Sequence, residues 1–89
     1  MVRKRAVVRG MVQGVGFRYY TQTEARRLGL AGFVLNRTDG TVEAELEGDA
    51  ASVWVMLAWL QHGPPSAHVE AVDVATIPPL GETGFRIDF

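Results

Sequence analysis

The stretch Thr41-Val42-Glu43-Ala44-Glu45-Leu46-Glu47 alternates apolar and acidic residues without a break. A period of two places Val42, Ala44 and Leu46 on one face of a strand and Glu43, Glu45 and Glu47 on the other. Three carboxylates side by side call for water, so the sheet containing this strand is expected to be packed on one face and solvated on the other. Helices then belong on one side only.

The neighbouring segments supply the rest of such a sheet. Upstream, Leu30 to Asn36 holds the apolar run Gly32-Phe33-Val34-Leu35, and Arg37-Thr38-Asp39-Gly40 supplies a turn whose Asp-Gly pair is a strong hairpin signal. Arg5 to Arg9 reads as a first short strand. Phe17 to Leu28 reads as a helix with Phe17, Ala25 and Leu28 inward and Gly29 as its stop. A second helix is expected over Ala50 to His62, capped by Asp49 and stopped by Gly63-Pro64-Pro65. Its inward stripe is Val53, Met56, Leu57 and Leu60, with Trp54 at the border and Val55 and Trp59 pointing away; both tryptophans are read as packing residues. Val69 to Ile77 reads as a strand whose alternation slips near Ala71, the mark of a bulge. After a loop over Pro78 to Gly84, Phe85 to Phe89 alternates again, with Phe85, Ile87 and Phe89 on one face. The order is βαββαβ plus a short C-terminal strand. It predicts an α+β fold, the ferredoxin-like α/β sandwich, with two helices packed on one face of an antiparallel sheet and residues 1–89 forming a single domain.

Charge is unevenly distributed. Residues 1–37 hold eight basic groups against one acidic group, and residues 38–89 hold one against nine, giving +7 and -8. Either the basic half serves an anionic ligand or the two halves neutralise each other across the fold. The chain has no cysteine, which excludes disulfide and thiolate chemistry. It shows neither an apolar signal core nor a run of membrane-spanning length. A cytoplasmic protein without membrane contact is the expectation.

One segment suggests chemistry. Gly10-Met11-Val12-Gln13-Gly14-Val15-Gly16-Phe17-Arg18 joins the first strand to the first helix. Glycine-permitted turns can aim successive N–H groups into one concavity, and a helix start adds its own unpaired donors and positive end. Arg18 in the first helical turn offers a planar fork of donors suited to phosphate. The plain alternative is a tight strand-to-helix turn. The segment lacks the Gly-Lys-Ser/Thr ending of a nucleotide P-loop and the spacing of a dinucleotide fingerprint. Val15 to Tyr20 echoes the aromatic strand motif of RNA-recognition domains, but it falls at a helix start, and a Glu43/Glu45/Glu47 face repels phosphate backbones. Asn36 ends an apolar strand just before a turn, where it either caps the turn or orients a water beside the anion cradle. His62 and His68 lack partners at metal-ligand spacing and read as surface residues, so no metal site is assigned.

The Gly10–Arg18 segment resembles the first signature of the acylphosphatase family. Gly32-Phe33-Val34-Leu35-Asn36-Arg37-Thr38-Asp39-Gly40-Thr41-Val42, with Gly48 downstream, resembles the second. Leu28-Gly29-Leu30 and Gly63-Pro64-Pro65 fit the same family, so the likeness spans nearly the whole chain. The resemblance implies hydrolysis of acyl phosphates to a carboxylate and inorganic phosphate, without metal or cofactor. It assigns catalysis to Arg18 and Asn36, and phosphate binding to Gln13, Gly14, Val15, Gly16, Phe17 and Arg18. Acyl phosphate and inorganic phosphate are the implied partners; nucleic acid is not expected, and a monomer is. Leu35 and Met11 stand where the family more often has polar or basic residues, which bears on acyl-group preference. A related domain inside larger maturation proteins handles carbamoyl phosphate; at this length a stand-alone enzyme is the expectation.

Overall fold

The computed structural model describes residues 1–89. In chain order the elements are β1 (Val2–Met11), α1 (Phe17–Arg27), β2 (Ala31–Asn36), β3 (Val42–Gly48), α2 (Ala50–Leu60), β4 (His68–Ile77) and β5 (Phe85–Ile87). The strands form one sheet in the order β4-β1-β3-β2-β5. Both helices lie on one face of it: Phe17 and Ala25 of α1 and Val53, Met56 and Leu60 of α2 share a buried cluster with Ala6, Val8, Val34, Val42, Ala44, Leu46 and Phe85. This is the ferredoxin-like α+β arrangement, with one correction. Four strands pair antiparallel, but β5 runs parallel to β2, so the sheet is mixed. The cause is topological. β4 and β5 occupy opposite edges, so the intervening segment crosses the sheet and cannot make a hairpin.

Local chemistry sets the helix ends. Gly29, at φ 71°, stops α1. The N–H of Leu30 then reaches the Ala25 carbonyl at 2.9 Å, and that of Gly29 the Arg26 carbonyl at 3.1 Å, a Schellman closure. Thr21 completes the inward stripe of α1, fully buried. Asp49 caps α2, its carboxylate accepting from the N–H groups of Ala51 and Ser52. The bulge expected near Ala71 is present: pairing to β1 jumps from Ala71 to Val69.

Other expectations require correction. Trp54 is 75% exposed and takes no part in the core; it lies in an open surface depression with Lys4 of β1 and Val74 of β4. Trp59, by contrast, packs on Phe17, ring centroids 5.9 Å apart. Phe89 lies past the end of β5, fully exposed, and does not join Phe85 in the core.

The largest departure concerns the acidic face of β3, which is not left to water. Register sets Arg3 opposite Glu47 and Arg5 opposite Glu45. The Arg3 guanidinium, 1% exposed, contacts Glu47 at 3.0 Å, Glu45 at 2.8 Å and Glu82 at 2.7 Å. The loop after β4 folds over this end of the sheet, and Glu47 accepts the Leu80 and Gly81 N–H groups at 2.7 and 2.9 Å. Glu47 is thereby buried. The Leu80 N–H, then the Arg3 and Gly81 donors, hold its carboxyl below the usual range against the opposing effect of burial. Arg86 and Arg3 do the same for Glu82. Burial acts to lower the Arg3 pKa, and hydrogen bonds from Arg3 to the three carboxylates outweigh it, leaving Arg3 raised.

Candidate active site

β1 and β2 each run antiparallel to β3, which lies between them, so both finish at the same end of the sheet. The glycine loop leaves β1 there, and Asn36 is the last residue of β2. Two segments far apart in sequence are thus brought together by sheet topology alone.

Gly14 and Gly16 take φ values of 74° and 76°, the left-handed region in which a side chain is strained. Gly16 is also the N-cap of α1, with no side chain to satisfy the first turn. The result is a bare helix start: the backbone N–H groups from Gln13 through Arg18 donate to no carbonyl in the chain. The start of α2 has the Asp49 carboxylate to accept from its N–H groups, and the start of α1 has no such cap, so this run of free donors in one loop is a local electropositive concavity.

The loop is clamped from two sides. The Gln13 side chain donates through Nε2 to the carbonyls of Arg37 at 2.7 Å and Thr41 at 2.9 Å, the two ends of the turn that follows Asn36. That turn is itself tightened by Asp39, whose carboxylate accepts from the Thr41 hydroxyl at 2.6 Å and the Thr41 N–H at 3.0 Å. The same two donors, hydroxyl first, hold the Asp39 carboxyl below its ordinary value. On the other side, the Ser66 hydroxyl donates to the Val15 carbonyl at 2.8 Å. A Cβ at Gly63 would lie 2.5 Å from the Phe17 ring, so the segment after α2 seats directly against the first residue of α1. Neither the Ser66 clamp nor the Gly63 contact is signalled in the sequence, because each pairs residues more than forty positions apart.

A cavity of about 190 Å³ opens at this junction, with Gly14, Gly16, Phe17, Arg18 and Asn36 on its wall together with Val12, Tyr19, Ile87 and Phe89. Of the residues assigned from sequence, Gln13 and Val15 lie off this wall. The Gln13 amide is committed to the hairpin, which leaves its backbone N–H as its free donor. Leu35 and Met11 are off the wall as well. Arg18 is half-buried and has no carboxylate partner; its guanidinium packs on the Phe89 ring at 5.0 Å. Asn36 Oδ1 is buried and accepts no hydrogen bond. A buried amide oxygen without a donor is costly unless a ligand or water supplies one.

Free anion donors, an uncommitted arginine and an orphaned amide therefore share one small space. The acylphosphatase family model matches residues 4–87. The chain belongs to the acylphosphatase family. Acylphosphatases are hydrolases of acyl phosphates, and this is the reaction of the chain. An acylphosphatase of Anaeromyxobacter dehalogenans (strain 2CP-C) is 49% identical over 89 residues, covering 99% of this chain and 96% of the relative. The crystal structure of the acylphosphatase from Bacillus subtilis matches with a TM-score of 0.96 at 39% identity, each chain covered in full. T. kodakarensis HypF carries a similar unit, 33% identical with a TM-score of 0.83, over 98% of this chain and 12% of its own. The acylphosphatase fold thus occurs both in chains of this length and within a much longer one.

Proposed function

We propose that the Gln13–Arg18 loop holds the phosphoryl group of an acyl phosphate and that Asn36 orients the water that attacks it. The loop N–H groups and the Arg18 fork bind the phosphoryl oxygens and carry the charge that grows on them. Asn36 Oδ1 accepts a hydrogen from the attacking water and aligns it with the phosphorus–oxygen bond that breaks. The departing carboxylate is stable without protonation, so no general acid is required. Positioning and fixed charge, which dominate catalysis of phosphoryl transfer, come from the chain's own groups without a metal.

The observation that carries this reading is the unpartnered Asn36 Oδ1 in the same cavity as Arg18 and the free N–H groups. In this reading residues 1–89 act as a single monomeric domain in the cytoplasm, without nucleic acid. The test is acyl phosphate hydrolysis in the presence of a chelator, with the inhibition constant of inorganic phosphate measured beside it. Arg18→Ala weakens phosphate inhibition and turnover together. Asn36→Ala keeps the phosphate inhibition constant and loses most turnover, as befits an interaction made with the attacking water. Near-normal turnover by Asn36→Ala would remove Asn36 from the mechanism.

A further inference from the structure

The cavity wall is chemically divided. Gly14, Gly16, Arg18 and Asn36 supply polar groups at one part of it; Val12, Phe17, Tyr19, Ile87 and Phe89 supply hydrocarbon at the rest. Arg18 is the single charged side chain on that wall. Val12 and Phe17 are 1% exposed and form a closed floor. Tyr19 is 62% exposed, Phe89 is wholly exposed, and both stand at the rim. Exposed aromatic groups beside an anion cradle are surfaces that a ligand can cover, and covering them is favourable in proportion to the apolar area removed from water.

The phosphoryl group uses the one cation and the free N–H groups. The acyl group then lies against what remains of the wall, which is apolar. A second negative charge on the acyl group meets no second cation there and loses its hydration without return. A phenyl or alkyl acyl group meets the rings of Tyr19 and Phe89 and the side chain of Ile87. Leu35 and Met11, the positions where the sequence departs from the family's usual residues, stand off this surface and do not set the preference.

We propose that the Tyr19–Ile87–Phe89 rim is an acyl-group subsite that selects uncharged, apolar acyl phosphates over small or anionic ones, with Tyr19 as its specificity-determining side chain. This rests on the reading of the loop and Arg18 as the phosphoryl site. Tyr19 follows Arg18 on α1, so the residue that contacts the acyl group is carried by the same first turn as the residue that grips the phosphate.

The experiment is steady-state hydrolysis of acetyl, benzoyl and succinyl phosphate by the wild type, Tyr19→Ala and Tyr19→Phe. Wild type favours benzoyl over acetyl phosphate in kcat/KM by about 10-fold, the scale on which an apolar pocket separates substrates, and disfavours succinyl phosphate. Tyr19→Ala brings the benzoyl-to-acetyl ratio close to one, and Tyr19→Phe retains it, because the ring and not the hydroxyl does the work. A ratio that is the same in wild type and Tyr19→Ala overturns the proposal, as does succinyl phosphate turning over as well as benzoyl phosphate. Failure of wild type to hydrolyse any of the three overturns the phosphoryl-site reading beneath it.

Discussion

The two ends of the sheet treat arginine in opposite ways. At one end Arg3 is buried and contacts three carboxylates, and one of those carboxylates also ties down the loop that covers it. At the other end Arg18 faces a cavity and meets an aromatic ring instead of an acid. The contrast extends to the backbone. The Leu80 and Gly81 N–H groups are spent on Glu47, whereas those of Gln13 to Arg18 have no acceptor in the chain. Polar groups that hold the fold are partnered; those left without partners in a shaped space are available for a ligand. Thr21 Oγ1 sharpens the point. It too is buried without a hydrogen bond, but it lies within the inward stripe of α1 and off the cavity wall, so it marks a small internal cost and no site.

The contrast breaks if the two arginines respond alike to removal. Arg18→Ala should lower kcat/KM by about 10⁴-fold, a loss of about 5 kcal/mol in transition-state binding, while leaving the melting temperature at or above that of wild type. Asn36→Ala should cost roughly 10³-fold in kcat. Arg3→Met should reverse the pattern: about 3 kcal/mol of stability lost in denaturant unfolding, because Glu47 is left buried without its cation, and activity per folded molecule retained.

Acid should narrow that stability gap. Glu47 and Glu82 have depressed carboxyl pKa values in the fold. The stability they contribute is complete above their unfolded value of about 4.3 and is lost as pH falls through the folded values. Melting curves of wild type and Arg3→Met should therefore converge below about pH 4.

Smaller effects test the connection between loop and hairpin. Gln13→Ala releases the glycine loop from the turn beyond Asn36 and should reduce kcat by about 10-fold through misplacement of the attacking water, with phosphate inhibition changed far less. Thr21→Val, which removes the unpaired hydroxyl without changing shape, should shift stability by less than about 1 kcal/mol and leave kinetics alone. A stability loss on Thr21→Val larger than that would mean the hydroxyl has a partner after all.

Most of the architecture was legible because it is written in local periodicity. The alternation of Val42, Ala44 and Leu46, the stripe of α2, the Asp49 cap and the Gly29 stop are all properties of short windows. The fate of Glu47 was not legible, since its partners Arg3, Leu80 and Gly81 are more than thirty positions away and the pattern alone reads as a solvated face. The direction of β5 was hidden for the same reason: three paired residues do not record which strand they join or how they run. For the site, the glycine spacing and Arg18 point to an anion cradle, and the residues leave Asn36 either capping a turn or orienting a water beside it; the family resemblance decides between the two. Gln13 was assigned to the ligand because it sits in the loop; its side chain proved to be committed to the neighbouring hairpin. Ser66 carries no motif, and Tyr19 stands in the sequence only within an echo of an RNA-recognition motif; their places beside the loop emerge from the geometry.

The glycine-loop donors at one end of the sheet are free, and the Leu80 and Gly81 donors at the other are spent. Titration of the ¹⁵N-labelled protein with inorganic phosphate tests this most directly. The Gly14, Val15, Gly16, Phe17 and Arg18 amides should shift saturably while those of Leu80 and Gly81 stay unmoved; saturable shifts at Leu80 and Gly81, or none in the glycine loop, would overturn the contrast between the two ends.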